Sequence, residues 1–169
     1  MAAKRNITAR HYQHMGEIVA TWARLESHIF RSFEQLLGIN LLQSIAVFWE
    51  MPFRNRIDRL SGLVAVKWRW KEDARRKEFD ALMAEIDDLY FIRNLAAHSI
   101  WKAGSTNNSI QPVFVNAKGG KIRTTSPHFP KIEDRDFTPE RLRKEAEKIY
   151  AFAERYKLFA KLHFGVAFL

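Results

Sequence analysis

Apolar residues recur at helical spacing over most of this chain, and the breaks between the stretches are marked by turn residues. Between Thr8 and Leu37 the stripe runs Met15, Ile18, Val19, Trp22, Leu25, Ile29, Phe33 and Leu36, and Gly38 supplies a stop. Ile39 to Trp49 is almost wholly apolar and predicts a short helix ending near Pro52. From Phe53 to about Trp68 the spacing resumes with Ile57, Leu60, Leu63, Val64 and Trp68, with Arg54, Arg56 and Arg59 on the outside. Glu72 to His98 predicts a long helix on Phe79, Leu82, Met83, Ile86, Leu89 and Tyr90. The period then changes. Gly104 to Ser109 reads as a loop, and Val113, Val115, Ile122 and Thr124 flank Gly119-Gly120 as a hairpin spanning about residues 110–125. Thr138-Pro139-Glu140 combines an N-cap, a proline at the first helical position and an acid in the first turn. The helix it opens runs to about His163, with Leu142, Ile149, Ala153, Tyr156 and Phe159 inward. The pattern therefore predicts an all-α fold: an up-and-down bundle of four to five helices with a β-hairpin inserted before the last helix. The 169 residues form one domain on this reading, and the apolar tail Phe164–Leu169 is expected to dock on the body or on another subunit.

Two charges interrupt the apolar stripes. Glu26 lies on the line of Trp22, Ile29 and Phe33, and Arg93 continues the line of Leu89 and Tyr90. A buried charge without a partner costs several kcal/mol, so the economical expectation is that Glu26 and Arg93 meet across a helix–helix seam. Asn94 and His98, four residues apart, are separated by only about 40° around a helix, whereas Arg93 and His98 are about 140° apart. A single straight helix is thus expected to hold the guanidinium and the imidazole apart.

The formal charge of +9 raises the prior for a polyanionic partner, nucleic acid first. Lys67-Trp68-Arg69-Trp70-Lys71 is a basic turn with two rings on which bases could stack, and Lys118, Lys121 and Arg123 put further cations on the hairpin. The plainer reading of the turn is that its tryptophans cap the core. The absence of cysteine removes disulfides, thiolate metal sites and cysteine nucleophiles, and fits a reducing cytoplasm. No apolar run approaches membrane-spanning length, and the first residues lack the apolar centre of a signal peptide.

No glycine-rich phosphate loop, His-Glu-x-x-His helix or nucleophile elbow is present. His11 and His14 lack a third ligand nearby in sequence and are read as surface histidines, so no metal and no cofactor is expected. What remains is Arg93-Asn94-Leu95-Ala96-Ala97-His98, followed by Ser99 and Trp101. This segment resembles the motif of the HEPN superfamily (higher eukaryotes and prokaryotes nucleotide-binding), helical bundles whose catalytic members carry an arginine, a polar residue and a histidine four to six residues on. The layout is similar too: a long first helix with an inner acid, Glu26, and a motif near the end of a later helix. The resemblance implies a metal-independent endoribonuclease in which Arg93, Asn94 and His98 are catalytic and Glu26, Ser99 and Trp101 supporting. It implies a homodimer with facing motifs, RNA as substrate and 2′,3′-cyclic phosphate ends as product. An antitoxin or nucleotidyltransferase partner is a further implication. Chemically, imidazole can move protons near neutral pH and guanidinium can hold a phosphate. The competing reading is a non-catalytic RNA- or nucleotide-binding or scaffolding module, with Arg93 consumed by Glu26 and His98 closing a helix C-terminus.

Overall fold

The computed structural model describes residues 7–69, 73–118, 121–125 and 135–168, with the backbone alone at 115–118 and 121–125. The chain runs α1 (Ala9–Leu37), α2 (Leu41–Phe48), α3 (Phe53–Lys67), α4 (Ala74–His98), β1 (Ile100–Ala103), β2 (Ile110–Lys118), β3 (Lys121–Thr125) and α5 (Pro139–Phe164). The expected helical architecture with a β insertion ahead of the last helix is what the structure shows. Among the described residues, no helix is long and apolar enough to cross a membrane. Two compact units divide the chain: Met1–Thr21 with Leu89–Ile149, and Trp22–Asp88 with Tyr150–Leu169. Helices α1, α4 and α5 contribute residues to both.

The second of these units is a bundle to which all five helices contribute. Its interior is aromatic: Trp22 meets Phe53, Phe33 stacks on Phe48, and Phe79 packs on Phe159. Gly38, at φ +67°, ends α1 as its lack of Cβ permits. Asn40 then starts α2 through a reciprocal cap. Its carboxamide accepts from the Gln43 N–H at 3.0 Å, and the Gln43 side chain accepts from the Asn40 N–H at 2.9 Å. On α5, fully buried Tyr156 donates to Ser32 Oγ at 2.8 Å, and Ser32 donates to the His28 carbonyl at 3.0 Å. That chain ties α5 to α1. Gly165, at φ +77°, then turns the tail back, with the Val166 N–H bonded to the Ala160 carbonyl.

The first unit carries the sheet. The expected hairpin is β2 paired with β3, its register running from Phe114↔Thr125 to Lys118↔Lys121. The structure adds a strand. β1 pairs antiparallel with β2 from Ile100↔Val113 to Ala103↔Ile110, which gives the order β1-β2-β3. The loop between β1 and β2 is organised by Asp136. Its carboxylate accepts from the Ser105 N–H at 2.9 Å, Ser109 Oγ at 3.0 Å and Gln111 Nε2 at 3.1 Å, and from the Ser105 hydroxyl. Burial alone would raise this carboxyl's pKa, but the hydrogen bonds from Ser105, Ser109 and Gln111 outweigh burial and hold it below its ordinary value. Gly104 is required there, because a Cβ would run into Ser109 and Asp136. Thr138 caps α5 as the sequence predicts, with the Arg141 N–H donating to Thr138 Oγ1 at 3.2 Å.

Candidate functional site

Helix α4 places the motif in its last two turns. Leu89 and Leu95 are the buried positions there, and Arg93 and Asn94 lie half-buried at the edge. His98 is the last helical residue and is exposed. Ser99 alone separates it from β1, its N–H still bonded to the Leu95 carbonyl at 3.2 Å.

The guanidinium and the imidazole meet within one chain, contrary to the angular expectation. Arg93 Nη1 lies 3.0 Å from His98 Nε2 and donates to Asn94 Oδ1 at 3.0 Å. The angle mattered less than reach. Five residues advance about 7.5 Å along a helix whose Cα radius is only about 2.3 Å, and an arginine side chain spans much of that distance. A guanidinium has only donors, so this contact requires Nε2 to be the acceptor, which leaves the ring proton on Nδ1. Asn94 Oδ1 steadies the arginine.

The expected partner of Glu26 is also replaced. Glu26 Oε1 accepts from Trp22 Nε1 at 3.1 Å and lies 3.6 Å from Arg56 Nη2. Arg56, read from the sequence as an outward residue of α3, is buried. It donates Nε to the Met51 carbonyl at 3.0 Å and lies over the rings of Phe30 and Phe53 at 5.3 and 5.6 Å. A buried arginine needs a carboxylate and carbonyls, and α3 carries Arg56 to the Glu26 carboxylate of α1 and the Met51 carbonyl.

Arg93 has no carboxylate partner among the described residues. Its Nε, together with Ser99 Oγ and Trp101 Nε1, is buried without a hydrogen-bond partner. Each such group costs about 1–3 kcal/mol, so three within nine residues mark this turn as short of acceptors. Trp101 stands edge-on to Phe137 at 5.5 Å, and Arg141 covers Phe137 at 4.0 Å. Lys102, next in β1, is exposed.

The other expected contacts fare unequally. Trp68 is 5% exposed, packed against Phe159, His163 and Phe164 with Arg75 over it at 5.2 Å, so its face is not open to a base. It caps the core. Lys67 and Arg69 are exposed, while Trp70 and Lys71 lie outside the described residues. Lys118, Lys121 and Arg123 hold their strand positions, but their side chains lie outside the description too. His11, expected at the surface, is fully buried, with Nδ1 accepting from the Thr8 N–H at 3.1 Å. Burial lowers its pKa, against the raising effect of the Phe137 and Asn108 carbonyls. His14 pairs with Glu17 at 2.8 Å. Comparison with protein-family models, with characterised proteins and with solved structures returns no match.

Proposed function

We propose that this chain is a metal-independent endoribonuclease of the HEPN type, built on Arg93, Asn94 and His98. The observation that carries the reading is the 3.0 Å approach of the Arg93 guanidinium to an exposed His98 imidazole. A phosphate-binding fork and a proton-transfer group then lie within reach of one phosphodiester. In the reaction, the 2′-oxygen attacks phosphorus and the bond to the 5′-oxygen breaks. As Arg93 Nη1 turns from Nε2 to a phosphoryl oxygen, Nε2 of one His98 is freed to take the 2′-hydroxyl proton, and a second, protonated imidazole gives a proton to the departing 5′-oxygen. Each chain supplies one such histidine, so the scheme calls for two copies with facing motifs. The Arg93 guanidinium complements the added charge on the phosphoryl oxygens.

A second reading draws on the same contact. With its lone pair already accepting from Arg93, Nε2 could serve only to shape a non-catalytic RNA-binding surface. The test is incubation of single-stranded RNA with the purified protein in EDTA, with analysis of the new ends. Cyclic phosphate ends that vanish in His98→Ala are expected. RNA binding without cleavage favours the second reading, and cleavage that survives His98→Ala removes this site from the reaction.

A further inference from the structure

We propose that a pocket of the helical unit, remote in sequence from the motif, binds a small phosphate-bearing anion. The cavity measures about 420 Å³, within the range of small-ligand sites. Helix α1 supplies Arg24, His28 and Arg31 to its wall, α5 supplies Glu154 and Lys157, and the returning tail supplies Phe168.

Four features distinguish this cavity from a merely basic surface. Arg31 is engaged by Glu34 at 3.1 Å and Lys157 by Glu154 at 3.8 Å, but Arg24 has no hydrogen bond or ion pair among the described residues. One positive charge is therefore left over. His28 is only 8% exposed, and its Nε2 is buried with no hydrogen-bond partner. A buried ring nitrogen in that condition costs free energy until a ligand supplies the missing partner. The wall itself is held in place, because the Tyr156–Ser32–His28 chain pins the turn of α1 that carries the imidazole. Phe168 meets the His28 ring edge-on at 4.7 Å and lies 6.0 Å from Lys157 Nζ, which gives the cationic pocket one apolar side.

The other unit offers a contrast. Its cavity of about 430 Å³ is lined by Arg10, His14, Glu140 and Arg143 among others, yet none of its lining side chains is buried and partnerless. Cations approaching from two helices suit a group with several anionic oxygens, and phosphate presents more of them than a carboxylate does. The apolar side favours an ester whose organic part is flat.

The experiment is calorimetric titration of the full chain with inorganic phosphate and with phenyl phosphate at fixed ionic strength. One equivalent is expected to bind saturably, and Arg24→Ala and Lys157→Gln, both at solvent-facing positions, to weaken it about 10-fold each. Tighter binding of phenyl phosphate identifies an ester as the ligand, and equal binding identifies free phosphate. No saturation with either probe, or saturation indifferent to both substitutions, overturns the proposal. The pocket uses no residue of the motif, so His98→Ala is expected to leave this titration unchanged whatever becomes of the ribonuclease reading.

Discussion

Arg56 and Arg93 are both arginines on otherwise apolar helices, and the structure treats them in opposite ways. Arg56 is surrounded: a carboxylate at 3.6 Å, a carbonyl at 3.0 Å and two aromatic faces answer its charge and its planar surface. Arg93 has an amide and an imidazole, each meeting the same Nη1, while its Nε has no partner. A guanidinium that serves the fold is satisfied by the fold. Arg93 is left half-buried and short of acceptors, which on the ribonuclease reading is where a phosphate would come in.

The contrast can be broken by exchange of substitutions. Arg93→Ala is expected to reduce RNA cleavage about 100- to 1,000-fold, as loss of one transition-state donor typically does, with little change in melting temperature. Arg93→Lys keeps the charge but loses the fork, and is expected to recover only part of the rate. Arg56→Ala should do the reverse, lowering stability while leaving the chemistry of the folded fraction intact. Equal loss of stability from the two alanine variants, read by chemical denaturation, would erase the distinction.

Glu26→Ala sharpens the same point at smaller scale. It strips Arg56 of its carboxylate and Trp22 Nε1 of its acceptor, at an expected cost of about 1–3 kcal/mol. Because the ion pair belongs to Arg56, an Arg56→Met background should reduce the loss to the share owed to Trp22, and an Arg93→Met background should leave it whole. A double-mutant cycle measures this directly.

The smallest effect concerns the buried histidines. Desolvation lowers the pKa of both His11 and His28 below the usual 6.5. Below that value the unfolded chain takes up protons that the folded chain refuses, so stability falls as pH drops from about 6.5 toward the folded pKa values. The melting temperature is therefore expected to fall as pH is lowered through that range. Replacing His28 with Gln should flatten the slope of melting temperature against pH in that range; an unchanged slope would show that His28 does not contribute.

Periodicity made most of the helical fold legible. Phe79, Leu82, Ile86 and Leu89 are buried as their spacing required, and Thr138 caps α5 as its neighbours implied. What the pattern could not reveal was which charged groups would meet. It placed Glu26 on an inner line but could not say which helix lay opposite, and Arg56 was hidden between two outward arginines of the same helix. Strand β1 was missed because Ile100–Ala103 is four residues long and abuts a helix, too short for alternation to register. The Asp136 hub had no local signature either: its partners at Ser105, Ser109 and Gln111 lie 25 to 31 residues away in the chain. At the candidate site the residue types were readable from sequence. The contact between Arg93 and His98 was not, because it depends on the reach of the arginine side chain and not on the angle around the helix alone.

The junction after α4 has a mechanical consequence. Helix ends ordinarily fray, and a side chain in the final turn inherits that looseness. Here the amide of Ser99 is still fastened to the helix while Ile100 is already locked opposite Val113, so the last turn is clamped from both directions. The imidazole of His98 thus rides on a helix terminus braced by the helix on one side and the sheet on the other.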